Sequence, residues 1–216
     1  DNNHLHFKLF HADEQLPLSD VIPVLENLGM RVVGEHPYEI ARGDGKTIWI
    51  HDFSLVPSSG QMTVPLADVR DVFQEAFERI WQGAAENDSF NRLVLTSRLN
   101  WRQVTVLRAY AKYMKQIRFS FGQSYIASRL GNHAGITSML LELFTLRFDP
   151  SAHFTEASQE ALVNRIKEAL DQVQSLTEDK ILRRYMQLML ATLRTNFYQL
   201  DNDGSIKSYV SFKLDT

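Results

Sequence analysis

The 216-residue sequence contains no cysteine, which excludes disulfides, thiolate zinc sites, iron–sulfur clusters and cysteine nucleophiles. It also lacks any apolar run near the ~20 residues of a membrane helix. No basic segment leads into an apolar core, so no signal peptide is visible. These absences fit a cytoplasmic protein with no membrane partner. An excess of basic charge is missing too: 23 Lys+Arg stand against 26 Asp+Glu, for a net charge of −3. That balance argues against nucleic acid as a partner and leaves only local patches to consider. The ten glycines are scattered, and no G-x-G-x-x-G turn, P-loop, H-E-x-x-H or G-x-S-x-G occurs. Gly43 and Gly45 lie between two strand patterns, not at the strand-to-helix turn where a pyrophosphate is held. No catalytic residue, cofactor-binding residue or metal ligand is assigned on these grounds. The chain opens at Asp1 and stops just after an alternating segment, so it reads as a piece of something longer.

The first third carries strand and helix signals in alternation. His4 to Phe10 places Leu5, Phe7 and Leu9 on one face and His4, His6 and Lys8 on the other, the pattern of a half-buried strand. In the next segment Leu18, Val21, Ile22, Leu25 and Leu28 share a helical face, and Gly29 supplies a C-cap. Pro23 places the helix start near Ser19, with the proline in or just after the first turn. Met30–Ile40 reads as a second strand, interrupted near Gly34 or Pro37, which suits a bulge or an edge. Thr47–Leu55 is a third, after turn chemistry at Arg42–Lys46. Pro65–Gly83 is a helix with Leu66, Val69, Phe73, Ala76, Phe77 and Ile80 on its apolar side. From Asp88 the period is helical, with segments near 89–98, 101–118, 123–130, 133–147, 156–175 and 178–199. Asp88 and Asn100 suit helix N-caps. The last helical segment is apolar around much of its circumference, as a central helix would be, and Ser208–Leu214 alternates again.

Three groups of side chains invite chemistry. His4, His6 and His51 could converge on a metal, but only Asp52 lies nearby to support them, and a mixed polar sheet face explains them as well. The segment 101–118 carries Arg102, Arg108, Lys112, Lys115 and Arg118 and no acid, with Arg108, Lys112 and Lys115 in one stripe. The stripe is either an anion contact or a face that is solvated or paired with the acids of the 156–175 helix, Glu156, Glu160, Glu168 and Asp171. Trp49, Trp81 and Trp101 sit at element boundaries or on apolar faces, where packing is the default role.

Larger pieces of the sequence are recognisable. Glu26–Val33, Pro37–Ile40, Trp49–Phe53, Phe90–Leu95, Trp101–Val104, Leu107–Tyr113, Gln123–Ile126, Leu143–Pro150, Leu193–Tyr198 and Ser211–Asp215 together resemble the large bacterial NAD-dependent glutamate dehydrogenases. The resemblance implies a position in the long N-terminal region of that family, which holds ACT-like modules and helical motifs. It implies NAD as the cofactor of the parent enzyme and none in this stretch, with the catalytic lysine and nucleotide fold beyond Thr216. It also implies other domains and subunits of the same enzyme as partners, with a small-molecule effector as a further one. Asp13–Val32 resembles the ACT pattern of acid, proline, helix and Leu-Gly-x-x-Val, and the resemblance makes His11, Asp13, Ser19 and Asp20 the effector-loop candidates. The glycine that follows the proline in ligand-binding ACT modules is Leu18 here, which favours a structural role.

The expected fold is therefore α+β: a ferredoxin-like, ACT-type βαββαβ sheet module carrying a large helical-bundle insertion. Residues 1–85 and 207–216 would form the module and 86–206 the bundle, with Tyr209–Leu214 returning to pair beside the first strand. The expected function is a non-catalytic regulatory or oligomerisation segment of such a dehydrogenase. Two other readings make separable demands. An amino-acid sensor needs a ligand at residues 11–19. A phosphate or nucleic-acid binder needs salt-sensitive binding through Arg108, Lys112 and Lys115.

Overall fold

The computed structural model of the protein describes residues 4–60 and 65–215. Strands β1 (Leu5–Ala12), β2 (Met30–Ala41) and β3 (Thr47–Pro57) form an antiparallel sheet in the order β1-β3-β2. Helices α1 (Leu18–Asn27) and α2 (Leu66–Trp81) cover one face of it. Strand alternation decides which side chains meet them. Leu5 pairs with Leu55, Phe7 with Phe53 and Leu9 with His51, and all six point toward the helices. Phe7 meets Phe73 and Phe77 edge-on, with ring centres 5.6 and 4.9 Å away. The expected interruption in β2 is a register shift between Val32 and Gly34. Pro37 is accommodated because β2 is an edge strand of this sheet. Pro23 lies inside α1 just after its first turn, as expected, and is exposed. Gly29 has φ +91°, open to glycine at little cost, and its backbone comes close enough that a Cβ would lie 3.6 Å from Arg92.

The helical part follows directly. A short 3-10 turn (Ser89–Arg92) runs into α3 (Leu93–Thr96), then α4 (Trp101–Gln116), α5 (Gln123–Asn132), α6 (Ala134–Phe148), α7 (Glu156–Leu170) and α8 (Leu176–Ala191). Asp88 caps the 3-10 turn by accepting from the Phe90 amide, and Asn100 forms a capping box with Gln103, as the residue types suggest. Buried Tyr110, Phe144, Leu140, Ile181 and Tyr185 form the centre of this part. Its core is continuous with that of the sheet module.

Two expectations are corrected at the C-terminal end. The last helical segment does not run to residue 199: α8 stops at Ala191 and the chain extends into β4 (Thr192–Thr195). Leu193 and Phe197 continue the apolar period in sequence, but Arg147 donates to the carbonyls of Leu190 and Thr192 at 3.1 and 3.0 Å and closes the helix there. Nor does the C-terminal strand pair with β1. Only Phe212–Leu214 is extended into a strand (β5), and it pairs with β4, Thr192 opposite Leu214 and Thr195 opposite Phe212. Asn196 fixes this hairpin, since its amide nitrogen donates to the Tyr209 carbonyl and its amide oxygen accepts from the Ser211 amide. Phe212 stacks on Tyr110 at 4.4 Å, so its apolar surface is satisfied by the helical part and not by the sheet. Residues 208–214 therefore do not supply the fourth strand of a ferredoxin-like unit. Among the described residues the outer edge of β1 has no partner strand. The architecture is mixed α and β: a three-stranded, two-helix, ACT-like module packed on a helical assembly that ends in a hairpin.

Candidate functional site

The loop from β1 into α1 holds the four effector-loop candidates. Asp13 takes a left-handed conformation, φ +70°, while its amide donates to the Thr47 carbonyl at 2.8 Å. His11 lies on the helix-facing side of β1, opposite Trp49, and its Nδ1 is 2.8 Å from the Glu14 carbonyl, to which it donates. Ser19 and Asp20 are exposed on the first turn of α1, the serine hydroxyl donating to its neighbour's carboxylate at 3.3 Å. Leu18 opens the helix and is 39% exposed. The contacts of His11 and Ser19 are thus local to the loop, while Asp13 ties it to the start of β3.

The group that holds this loop is a histidine read from the sequence as a metal candidate and not as part of the loop. His51 is fully buried. Its Nε2 accepts the Leu16 amide at 3.2 Å, which leaves the ring proton on Nδ1, 2.8 Å from the Glu35 carboxylate. The ring lies between Trp49 and Phe53 along β3, with centroid distances of 6.5 and 6.2 Å. The histidine therefore supplies from inside the acceptor that an amide of this loop requires. Strand parity also separates it from the other histidines. His6 is on the opposite face of the sheet, where its Nδ1 sits 2.9 Å from Asp52 and Lys8 reaches the other carboxylate oxygen at 3.4 Å. Partial burial would raise the Asp52 carboxyl, but the hydrogen bonds from His6 and Lys8 hold it below its usual value. His51 consequently cannot share a metal with His4 and His6.

The basic stripe divides in the same way. Arg108 is buried: Nε donates to Asp88 Oδ2 at 2.8 Å and Nη2 to Asp88 Oδ1 at 3.1 Å. Nη2 also reaches the Asn91 side chain and the Glu86 carbonyl. Lys112 pairs with Glu86 at 2.5 Å, while Lys115 is exposed. The acids that neutralise the stripe come from the 86–88 loop and not from α7, the acidic helix suggested by charge. Arg108 is thus a clamp between α4 and the chain entering the helical part, and no longer available to a ligand. Of the tryptophans, Trp81 is 40% exposed and stacks on Phe77 at 6.0 Å. Trp101 donates from its indole nitrogen to Glu75 at 3.0 Å and lies against Arg79 and Arg102.

Comparison with known proteins divides the chain into three stretches. Residues 1–69 match the model described as glutamate dehydrogenase, ACT3 domain. Residues 85–150 match glutamate dehydrogenase, helical motif 3. Residues 165–216, holding most of α7, all of α8 and the terminal hairpin, match bacterial NAD-glutamate dehydrogenase, catalytic domain. That last match corrects the expectation that the whole stretch lies ahead of the catalytic domain, since residues 165–216 already match that domain's model. The NAD-specific glutamate dehydrogenase of Pseudomonas aeruginosa is 52% identical over 215 residues, covering 98% of this chain and 13% of that protein. The enzyme of the same name from Halomonas elongata is 51% identical over 211 residues, again 98% and 13%. That of Mycobacterium tuberculosis is 38% identical over 190 residues, 84% of this chain and 12% of its own length. The chain spans only a small part, 12–13%, of the length of these relatives. With three consecutive glutamate dehydrogenase models matched in order along it, the chain belongs to the family of large bacterial NAD-specific glutamate dehydrogenases, as an ACT-like module followed by a helical motif.

Proposed function

We propose that this chain is a non-catalytic coupling segment of an NAD-dependent glutamate dehydrogenase, joining an ACT-like module to the start of the catalytic domain. The parent enzyme would deaminate L-glutamate oxidatively to 2-oxoglutarate and ammonia, with NAD bound by parts of the protein outside this stretch. A cytoplasmic location goes with that chemistry; among the described residues no helix is long and apolar enough to cross a membrane. The observation that carries the reading is the sheet face turned away from the helices. Phe10 is 67% exposed there, with Tyr38 and Ile40 also exposed and Ile50 between them in register. An apolar group of this kind on a module already packed on its other side suits contact with a further domain or subunit of the same enzyme. The β1–α1 loop supports a structural role over amino-acid sensing, because His51 already satisfies the Leu16 amide and Leu18 occupies the close-approach position.

The test uses both the chain and the whole enzyme. The isolated chain is expected to form no NADH from glutamate and NAD. In the whole dehydrogenase, F10E combined with Y38E is expected to disrupt assembly by size-exclusion light scattering, or to lower activity several-fold. The same pair should leave the circular dichroism of the isolated chain unchanged. Unaltered assembly and activity in the whole enzyme would remove the proposed contact, and NADH formation by the isolated chain would overturn the non-catalytic assignment.

A further inference from the structure

A cavity of about 450 Å³ lies where α2, α4 and the loop joining β4 to β5 meet. Its walls include Arg79 from α2, Trp101 and Arg102 from α4, and Phe197 and Lys207 from the loop. The two arginines are set apart by lining one cavity together. Arg108 and Arg183 answer carboxylates at close range. Among the described residues, neither Arg79 nor Arg102 has a carboxylate within ion-pair distance. The Nε of Arg79 is shielded from solvent with no hydrogen-bond partner, and its guanidinium faces the Trp101 ring at 5.6 Å. Arg102 gives one bond, from Nη2 to the Phe197 carbonyl at 2.5 Å, and lies over Phe197 at 4.5 Å and Trp101 at 5.8 Å. A guanidinium has five donors, so most of those of Arg102 remain unspent. Burial also pulls the Arg102 pKa down, the expected result of a cation removed from water without an anion beside it.

The remaining charges at the cavity are accounted for. Lys207 is held by Asp201 at 2.6 Å. Glu75 accepts from the Trp101 indole at 3.0 Å. Asp203 accepts the Ser205 amide at 2.9 Å. Among the described residues the cavity is thus lined by three cations and no carboxylate, and the three neighbouring acids are already engaged. Planar guanidinium groups, fixed in direction by stacking on aromatic rings, fit an oxyanion better than a neutral ligand. The volume suits a small metabolite.

From this geometry we propose that the cavity is an anion site, taking a small doubly charged metabolite, a phosphate ester or a dicarboxylate, through Arg79 and Arg102. The place matters as much as the chemistry. Arg102 lies in the stretch that matches helical motif 3 and Lys207 in the stretch that matches the catalytic domain, while Arg79 projects from the second helix of the sheet module. An anion bridging the two arginines would tie α2 to α4 beneath the 197–210 loop, and would hold that loop more tightly than in the empty state.

Inorganic phosphate and succinate, each against sodium chloride of equal ionic strength, are the probes for the 216-residue chain labelled with nitrogen-15. The Trp101 indole N–H resonance is identified by its loss in W101F. It should shift saturably with at least one of the two anions, and the indole signals of Trp49 and Trp81 should not follow. R79Q should weaken that binding at least tenfold, R79K should weaken it less, and K112Q, at the Glu86 pair, should not change it. Which anion saturates at lower concentration distinguishes the phosphate from the carboxylate class. If R79Q is poorly folded, R79K and the chloride control still decide. The assignment is overturned by an absence of saturation with both anions, by a response equal to that of chloride, or by unchanged affinity in a folded R79Q or in R79K.

Discussion

Arg108 shows how one buried charge organises its surroundings. Its side chain is 3% exposed, against 28% for Asp88. The aspartate does two things: it accepts from the Phe90 amide at the entrance to the helical part, and it faces the guanidinium side-on. Removing the acid leaves a cation with almost no water, which costs more than losing an exposed pair. Asp88→Ala is therefore expected to destabilise the chain by about 3 kcal/mol or more. Lys112→Ala, at a pair 47% and 57% exposed, should change stability by no more than about 0.5 kcal/mol. Urea unfolding of the two variants checks this, and equal losses would show that burial does not set the difference. The residue types were readable here, and the partners were not. Asp88 reads as a cap and Arg108 as part of a stripe, but nothing in a linear charge pattern says that a loop acid will fold back onto the fourth helix. Glu35 and His51 are sixteen positions apart, and only the antiparallel register of β2 and β3 turns both side chains to the helix side, where the two meet.

At the scale of elements, α5, α6 and α8 are joined by one carboxylate. Glu178, in the first turn of α8, accepts from His133 Nε2 and Arg129 Nη1, each at 2.7 Å. The hydrogen bonds from His133 and then Arg129 hold the Glu178 carboxyl below its ordinary value of 4.5. A lowered pKa in the folded state means stability that is present above the ordinary value and disappears as pH falls through the lowered one. Glu178→Gln should thus cost about 1 kcal/mol at neutral pH. The gap between the variant and the parent should close as pH falls below the ordinary value of 4.5 and through the lowered one, because glutamine mimics the protonated acid. Thermal melts across that range test the sign, and a gap that widens on acidification would contradict it. Element types were legible from periodicity wherever one face was buried, as in β1 and α2. The end of α8 was not, because the apolar spacing of Leu190, Leu193 and Phe197 is helical while the backbone stop is imposed by Arg147, 43 residues earlier. The partner of β5 was hidden for a related reason. Alternation in Val210, Phe212 and Leu214 marks a strand, yet the choice between two edges is made by Asn196 and by the ring of Tyr110.

At the scale of the whole molecule, the ACT-like module and the helical part share one interior. The chain after α1 presses Gly29 against Arg92, with Leu95 also within van der Waals reach. Asn27 reaches Asn87 at 2.9 Å, Asp68 reaches Arg98 at 3.1 Å, and Glu75 holds the indole of Trp101. Val94 and Leu95 of α3 and Ile80 of α2 are buried in a single apolar cluster with Leu25 and Phe53. An exposed polar linker would let two units melt separately. Here the interface is apolar, and opening it would expose core side chains of both parts. The chain is therefore expected to unfold as one cooperative unit, with tryptophan fluorescence and far-ultraviolet circular dichroism giving the same midpoint. The sharper form of this expectation uses Phe53, fully buried in the middle of β3 and far in sequence from α4 to α8. Phe53→Ala should cost about 3–5 kcal/mol. If the interior is shared, that loss must lower the melting of α4 to α8 as much as that of the sheet. Hydrogen exchange at the α4 and α8 amides would then quicken in step with exchange at β3. Faster exchange confined to the sheet, with α8 protected as before, would mean that the two parts are coupled only through the whole enzyme and not through the core they share in this chain.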